Sequence, residues 1–393
     1  MREGRKYCQF GDIASFSRGL TFAKGDVAAE STKKVLRSNN IDLDSHSLNL
    51  DDIACLNEDF DIPDDKKLHR GDVFVCMSNG STQHLGKVAF IEEDMDYAFG
   101  GFMGAIHPDS SRIYPKYVYY SCISSEYRRF LASIFNGVNI NNLKWSELSK
   151  FSIPFPSLSE QERIVAELDL LTGIIDKQKA QLNELDTLAQ SIFYDMFGVP
   201  ESNEKGWECS RLGDLCNSDL GKTLNQAKDT GELRTYLCAI NIKWQQIDLS
   251  TLKNARFEDD EIERYSVTKG DLLVCEGGDI GRSAIWDKDY DIQYQNALHR
   301  LRFNGKVTAQ YCLFTLQCLK QRGVLDSKYG KGVTIKHLVK SSLLSIPIPV
   351  PPITLQQTFA QKIQSIESLK ASINQSIAET QKLFDYTMDK YFG

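Results

Sequence analysis

The sequence has no long apolar run. No stretch approaches the roughly 18 consecutive apolar residues of a membrane-spanning helix. Residues 1–6 are polar and no apolar segment follows them, so we expect no signal peptide and no membrane association. The ten cysteines are scattered and form no CxxC pair, which favours reduced thiols and a cytoplasmic location.

Motifs for nucleotide, cofactor and metal sites are also missing. The Gly-Lys-Thr run at 221–223 ends like a phosphate-binding loop, but the glycine required five positions before Gly221 is replaced by Cys216. No GxGxxG motif follows a strand pattern, and the six histidines show no metal-ligand spacing. The acidic-x-Lys fragment in Pro63–Lys66 has no Pro-Asp partner at a useful distance upstream, which favours a surface loop over a nuclease site. We therefore expect a non-catalytic protein without a cofactor or metal.

The net charge of −7 does not by itself indicate a nucleic-acid-binding protein. The charge is unevenly distributed, however. Residues 151–200 contain three basic and eight acidic side chains, whereas residues 301–350 contain eight basic and one acidic. Such a basic segment is typical of a surface that contacts phosphate, and a solvated basic face without a ligand is an equal alternative.

What the sequence does contain is an internal repeat. Residues 159–198 match residues 354–393, and the offset of 195 residues (354 minus 159) is constant along the match. Two long copies indicate a duplication rather than a solenoid. Prolines stand just before each copy, and Ser159 precedes Glu162 at the spacing of a capping box, so a helix is predicted to begin here.

Each copy has the periodicity of one long amphipathic helix. Apolar residues at spacings of three and four form a heptad seam, which predicts a coiled coil. The seam residues are Leu168, Leu171, Ile175, Leu182, Leu185 and Ile192 in the first copy, and Ile363, Ile366, Ile373, Ile377 and Phe384 in the second. The simplest arrangement packs the two seams on each other; two amphipathic helices in separate cores are the alternative.

The residues before each helix are repeated as well. The matching segments are Gly-Asp turns with apolar runs at 70–76 and 269–275, Gly-Lys or Gly-Arg pairs at 86–87 and 281–282, and Ile-Pro-x-Pro motifs at 153–156 and 346–349. Segments 99–106 and 294–301 are strand-like, and segments 117–135 and 309–325 are helical in pattern. The sequence therefore predicts a mixed α+β globule followed by one long helix, made twice.

The order of these motifs, found twice, resembles the specificity subunit of type I restriction-modification systems. Pro154–Ile164 carries the resemblance strongly, and Pro349–Gln357 carries it more loosely, with Thr358-Phe359 in place of Arg-Ile. The resemblance implies an α+β fold with two target-recognition domains, an antiparallel coiled coil of the two long helices, and an internal pseudo-two-fold repeat. The corresponding domain boundaries are 1–157 and 199–352 for the globules, and 158–198 and 353–393 for the helices.

The resemblance also implies a non-catalytic role. Each globule would read one half of a split target in double-stranded DNA, and the helices would set the distance between the halves. Two modification (methyltransferase) subunits and the restriction (translocase/nuclease) subunits would assemble on this framework. A coiled-coil scaffold without a DNA role, and a specificity subunit of a fused methyltransferase-nuclease system, are the alternatives.

Base readout needs polar side chains on loops, and phosphate contact needs basic ones. The candidates for base readout are Ser78, Asn79, Ser81, Gln83 and His84 in the first half, and Gln293, Gln295, Asn296, His299 and Arg300 in the second. The candidates for phosphate contact are Lys87, Arg282, Lys331 and Lys336. For each of these residues, a solvated loop position is the alternative.

Overall fold

A computed structural model of the chain describes residues 5–135, 142–225, 229–332 and 336–393. The chain divides into two compact units. Unit 1 consists of Met1–Lys179 and Asn374–Gly393, and unit 2 consists of Ala180–Ile373. Each unit therefore combines one globule with a part of both long helices.

Both units contain short strands and helices. The strands are β1 Tyr7–Gln9, β2 Ala14–Arg18, β3 Val27–Ala28, β4 Lys34–Leu36, β5 Ala54–Leu56, β6 Val73–Cys76, β7 Val88–Phe90, β8 Ala98–Phe99, β9 Met103–Pro108, β10 Ser152–Pro154, β11 Cys209–Arg211, β12 Cys216–Leu220, β13 Glu232–Leu237, β14 Ile242–Lys243, β15 Gln246–Ile247, β16 Lys253–Phe257, β17 Ser266–Val267, β18 Leu272–Cys275, β19 Ser283–Ile285, β20 Ile292–Tyr294, β21 Leu298–Phe303 and β22 Pro347–Pro349. The helices are α1 Phe10–Ile13, α2 Pro115–Cys122, α3 Ser125–Phe135, α4 Trp145–Leu148, α5 Leu158–Phe197, α6 Asp259–Arg264, α7 Ala309–Gln321, α8 Lys340–Leu344 and α9 Ile353–Phe392.

The core of each globule is a four-stranded antiparallel sheet. Its order is β2-β9-β6-β7 in unit 1 and β12-β21-β18-β19 in unit 2. The apolar runs predicted from sequence form the central strands β6 and β18, and every residue in them is buried. Side chains alternate across a strand, so Val73 and Val75 face the core beside the helices while Phe74 and Cys76 face a second core.

A second, mixed sheet covers the other face. Its order is β3-β5-β4-β8 in unit 1 and β16-β13-β20-β17 in unit 2. In both units one strand of this sheet pairs in parallel with a later one, β4 with β8 and β13 with β20. The ends of each globule are closed by a short antiparallel pair, β1 with β10 and β11 with β22. The antiparallel sheet and the parallel strand pair are thus repeated, whereas the fourth strand of the second sheet differs: β3 pairs with β5 in unit 1, and β17 pairs with β20 in unit 2.

Three segments that the sequence predicts as single elements are each divided into two. The strand-like segment 99–106 is two strands in different sheets, because the chain turns at Gly100–Phe102 and Met103 N donates to Gly100 O at 2.8 Å. The segment 294–301 is divided in the same way, with Leu298 N donating to Gln295 O at 3.0 Å. The helical segment 117–135 is the two helices α2 and α3.

The long helices α5 and α9 contain 40 residues each. Helix α5 begins at Leu158, and its N-terminal hydroxyl is that of Ser157 rather than Ser159: Ser157 Oγ lies 3.4 Å from Glu160 N. The glutamine shared by both copies fixes each helix to its globule. Gln161 Nε2 donates to Pro156 O at 2.9 Å while its Oε1 accepts from Tyr114 N at 2.8 Å. Gln356 does the same with Pro351 O and Thr308 N, both at 2.8 Å.

The two helices pair antiparallel within each unit. In unit 1, Arg163 Nη2 donates to Tyr391 Oη at 2.9 Å. In unit 2, Lys370 Nζ lies 2.8 Å from Asp186 Oδ1. The predicted seam residues are all buried or partly buried: Leu168, Leu171, Ile175, Ile363 and Ile366 are buried, and Leu182, Leu185, Ile192, Ile373, Ile377 and Phe384 are partly buried. The predicted fold class, two mixed globules with an antiparallel helix pair, is confirmed.

Candidate nucleic-acid interface

One buried asparagine shapes an exposed turn in each globule. In unit 1, Asn40 Oδ1 accepts from Arg37 N at 2.8 Å, and Asn40 Nδ2 donates to Asn49 O and Asp52 O at 2.8 and 2.9 Å. In unit 2, Asn241 Oδ1 accepts from Cys238 N at 2.9 Å. Because the buried amide forms the hydrogen bonds that hold the turn, the two residues before the asparagine do not have to be the same in both units. They are Ser38-Asn39 in unit 1 and Ala239-Ile240 in unit 2.

A polar loop follows the central strand β6. Asn79 Nδ2 donates to Ser38 Oγ at 2.8 Å, and Asn79 Oδ1 accepts from Ser81 N at 3.0 Å. Ser81 and Gln83 are exposed, whereas Asn79 and His84 are partly buried. This loop therefore presents polar groups from a fixed backbone, as base readout requires.

The turn between β8 and β9 presents a single aromatic ring. Phe102 O accepts from both Met77 N and Ser78 N at 2.9 Å, so the turn is fastened to the end of β6. The first residue of the turn, Gly100, is packed tightly against Gly19, because a Cβ on Gly19 would lie 2.1 Å from Gly100 O. The Phe102 ring is nevertheless 72% exposed.

These three segments of unit 1 line one open cleft of about 930 Å³. Arg37, Asn39, Asn79 and Phe102 all contribute to it. Two of its polar groups are engaged with the same carboxylate: Arg37 Nη2 and Asn39 Nδ2 lie 3.4 and 3.0 Å from Asp52 Oδ2. The cleft thus combines hydrogen-bonding groups with an exposed ring.

The equivalent end of unit 2 is more basic. Lys331 and His337 exchange two backbone hydrogen bonds of 2.8 Å, and Gly277 forms a β-bridge to His337. Lys331 is exposed and Lys336 is partly exposed. Among the residues that the structure describes, neither lysine has an ion-pair partner. Both ammonium groups are therefore available to a phosphate.

Two further candidates of unit 2 lie in the turn between β20 and β21. Asn296 Nδ2 donates to Thr223 Oγ1 at 3.2 Å, and Gln295 N donates to Leu237 O at 2.9 Å. Both side chains are partly exposed. This turn corresponds to Gly100–Phe102 of unit 1, and Ala297 stands where unit 1 has Phe102.

The basic residues of the Gly-Lys and Gly-Arg pairs belong to the framework. Lys87 is only 4% exposed, its Nζ donates to Ile41 O at 2.7 Å, and burial lowers its pKa. Arg282 Nη2 donates to Ala239 O at 2.8 Å. Each cation holds the carbonyls of the asparagine turn from inside, so the predicted phosphate contact does not fit the placement of either residue.

Three candidates for base readout are also buried. His299 is fully buried with Nε2 2.8 Å from Leu338 O, and burial lowers its pKa. Arg300 is bonded to Ser266 O and lies 3.0 Å from Asp219 Oδ2. Gln293 Nε2 donates to Ile262 O at 3.3 Å and is likewise buried. Their polarity misled the sequence prediction, because each one satisfies main-chain groups inside its domain.

Sequence reasoning missed Arg37, Asn39 and Phe102. Arg37 and Asn39 precede the Asn-Ile dipeptide that is present in both halves, and the residues before this dipeptide differ between the halves. That difference marks the position as a candidate for specific recognition. Phe102 lies within segment 99–106, whose sequence pattern predicts one continuous strand. Only the pairing partners of β8 and β9 reveal that Gly100–Phe102 is a turn.

The helices of each unit carry an exposed apolar pair. Ile174 and Leu383 in unit 1 are exposed, and their repeat equivalents in unit 2, Leu369 and Leu188, are exposed as well. Unit 1 adds Leu170 and Tyr386, which are 65% and 68% exposed. We call Leu170, Ile174, Leu383 and Tyr386 the unit 1 helix patch, and Leu188 with Leu369 the unit 2 helix patch.

In the described part of the chain, no helix is long and apolar enough to cross a membrane. The same residues contain no cluster of three or more His, Cys, Asp or Glu side chains suited to a metal ion. The Gly-Lys-Thr run that ends like a phosphate loop is explained by its contacts. Lys222 is buried, and its Nζ lies 2.6 Å from Glu261 Oε2 and 3.4 Å from Asp229 Oδ1.

Comparison with known proteins identifies the family. The chain is 23% identical over 418 residues to the type I restriction enzyme StySPI specificity subunit of Salmonella potsdam, covering 99% of this chain and 89% of that protein. It is 21% identical over 417 residues to the EcoKI specificity subunit of Escherichia coli K12, with the same coverage of 99% and 89%.

Solved structures share the fold. A chain from a solved type I R-M system superposes with a TM-score of 0.60 at 18% identity, covering 100% of this chain and 98% of that one. The S subunit of a type I restriction-modification system from M. genitalium superposes with a TM-score of 0.55 at 14% identity, also covering 100% and 98%. A family model described as the type I restriction modification DNA specificity domain matches the sequence twice, over residues 3–187 and 204–381. The chain therefore belongs to the family of type I restriction-modification DNA specificity domains.

Proposed function

We propose that this protein is the DNA sequence-recognition subunit of a type I restriction-modification complex. Residues 1–157 and 199–352 are the two target-recognition domains, and each reads one half of a bipartite target in double-stranded DNA. The helices within 158–198 and 353–393 set the spacing between the halves. The subunit acts in the cytoplasm and carries no catalytic site of its own.

The observation that carries this proposal is one framework with two different reading surfaces. The order of the antiparallel sheet, the asparagine turn and the cation that donates to a carbonyl of this turn are repeated in both units. The exposed positions that this framework holds differ: Ser78-Asn79 correspond to Gly277-Gly278, and Phe102 corresponds to Ala297. A duplicated scaffold with different exposed residues at its loop ends is what two half-sites of different sequence require.

The proposed DNA contacts are narrower than the sequence prediction. Base readout is assigned to Ser78, Asn79, Ser81, Gln83, His84, Gln295 and Asn296, joined by Arg37 and Asn39. Phosphate contact is assigned to Lys331 and Lys336, whose ammonium groups have no carboxylate within reach in the described structure. Lys87, Arg282, Gln293, His299 and Arg300 are assigned to the framework.

The helix patches support a role in assembly. An exposed apolar pair that recurs at the same repeat positions fits one kind of partner bound twice, and exposed apolar clusters of this kind mark interaction sites. We assign the patches to two modification subunits, which bring the methyl-transfer chemistry. Restriction subunits complete the complex.

Domain exchange with methylation mapping tests the proposal. The protein is produced with its modification partners, and methylated positions in host DNA are mapped at base resolution. Replacing residues 1–157 with the same domain of a relative should change one half-site and leave the other half-site and the gap unchanged. The reciprocal exchange of residues 199–352 is the matched control and should change only the other half. A change in both halves, or in neither, would contradict modular reading.

A further inference from the structure

We propose that Phe102 contacts the 5-methyl group of a thymine in the half-site that unit 1 reads, and so selects an A·T pair at one position. This inference rests on the proposed DNA-recognition function. It adds a reading residue of a different chemical kind from the polar candidates, and it applies to unit 1 alone.

The ring of Phe102 is unusually exposed. Phe102 has the largest exposed fraction, 72%, among the large apolar side chains of the described residues. Moving a phenylalanine ring out of water is favourable. A partner that covers an exposed ring on a fixed backbone is therefore bound more tightly. Such rings act as anchors of binding sites.

The turn that carries Phe102 is held by hydrogen bonds on both sides of the ring. Phe102 O accepts two hydrogen bonds of 2.9 Å from Met77 N and Ser78 N, and Met103 N donates to Gly100 O at 2.8 Å. Gly19 packs so closely that no side chain fits between it and Gly100. The backbone that carries the ring is thus pre-organised, and binding does not have to order it.

Polar groups suited to base edges surround Phe102. Phe102 shares its cleft with the guanidinium of Arg37 and the amides of Asn39 and Asn79. Arginine and asparagine are the side chains that pair with guanine and adenine edges in the major groove, and the thymine methyl is the apolar feature of the same groove. A ring among such groups suits the reading of base edges, whereas a wedge inserted between base steps does not need them.

The repeat supplies an internal comparison. Ala297 occupies the equivalent turn of unit 2, with Glu276 N donating to Ala297 O at 3.0 Å where Met77 and Ser78 donate to Phe102 O. The backbone hydrogen bond to this carbonyl is therefore present in both units, whereas the aromatic ring is present in unit 1 alone. The methyl contact belongs to one half-site only.

Uracil, which is thymine without the 5-methyl group, tests the contact. The target is first mapped by methylation, and duplexes are then made with uracil replacing each thymine of both half-sites in turn. The complex with modification subunits should bind about fourfold more weakly when one particular thymine of the unit 1 half-site is replaced, which is the worth of one buried methyl. Phe102→Ala should bind the thymine and uracil duplexes equally at that position, while Phe102→Leu should retain part of the difference.

Leu50→Ala, which removes another exposed apolar side chain of unit 1, is the matched control and should keep the full thymine preference. Equal weakening of Phe102→Ala on every duplex, with the thymine preference intact, would overturn the methyl contact and indicate a wedge. An unchanged affinity of Phe102→Ala would overturn it as well. If the proposed DNA-recognition function itself were wrong, the result would differ, because the wild-type complex would then methylate no bipartite sequence.

Discussion

Gln178 Nε2 donates to Ser376 Oγ at 2.7 Å, so a polar pair interrupts the apolar seam of the two long helices in unit 1. Gln178 Oε1 is buried and has no hydrogen-bond partner among the described residues. The same seam position in the second copy is the apolar Ile373. A single polar seam residue costs stability and fixes the register of a coiled coil.

Replacing this glutamine should therefore stabilise the protein. Gln178→Leu removes an unpaired buried oxygen and should raise the free energy of unfolding by about 1 kcal/mol. Chemical denaturation followed by circular dichroism measures the change. Gln181→Leu, on the exposed side of the same helix, should give no stabilisation, and a destabilised Gln178→Leu would show that the amide is needed for packing.

The two lysines at the basic end of unit 2 should govern salt dependence. Lys331→Ala with Lys336→Ala should weaken binding to all DNA sequences and reduce the slope of log K against log salt by about 0.9 for each lost contact. Filter binding of the assembled complex at several salt concentrations gives the slope. Lys306→Ala, an exposed lysine on the segment that contacts the start of α9, should leave it unchanged. An unaltered slope in the double variant would assign both lysines to solvent.

The helix patches should differ in how strongly they bind a partner. Leu170→Ser with Tyr386→Ser removes the two apolar residues that unit 1 has and unit 2 lacks. Burial of two such side chains is worth several kcal/mol, so affinity for one modification subunit should fall at least about tenfold. Native mass spectrometry should then show complexes with one modification subunit in place of two. Retention of both subunits at the same affinity would place the docking surface elsewhere.

The length of the helices should set the gap in the target. Inserting one heptad after Leu182 and one after Ile373 keeps the seam register in both helices. Seven residues add about 10 Å, which is up to about three base pairs at roughly 3.4 Å each. Methylation mapping should show unchanged half-sites separated by a longer gap. An active complex with the original gap would rule out the helices as the spacer.

Acid should destabilise unit 1 through His46. Burial and, to a smaller extent, the positive charge of Arg128 lower the pKa of His46 to about 4. The negative charges of Asp42 and Asp44 raise this pKa and offset part of the effect. The unfolded chain binds a proton on this ring near its usual pKa of about 6.5, so the stability it contributes is complete above that pH and is lost as the pH falls toward 4. His46→Asn suits the positive φ of 53° at this position.

The pH dependence of the wild type and of this variant separates the histidine from all other titrating groups. Below pH 6 the variant should lose less stability than the wild type, by on the order of 1–3 kcal/mol at pH 4. Denaturation midpoints at a series of pH values measure the difference. Parallel pH profiles for the two proteins would contradict it.

The repeated framework was predictable because its elements obey local rules. Gly-Asp turns before apolar runs gave β6 and β18, and three- and four-residue spacing gave α5 and α9. The interface was less predictable, because polarity alone does not tell a solvent-facing side chain from one that satisfies buried carbonyls. The polarity of Lys87 and His299 suggests contact with DNA. Their hydrogen-bond partners, Ile41 O and Leu338 O, lie 46 and 39 residues away in the sequence, so a local pattern does not reveal them. The ring of Phe102 was hidden for the opposite reason, since an apolar residue beside strands is expected to be buried.

The short strand pairs that close the globules have a consequence for how new variants of the gene arise. Tyr7 lies opposite Pro154, and Cys209 lies opposite Pro349, so the chain enters and leaves each globule at neighbouring points just before a long helix. A crossover between two such genes within the codons of a helix exchanges one whole globule together with its closing strand pair. We expect the recombinant protein to need no compensating change in its helices, so that a new combination of globules can arise in a single genetic event.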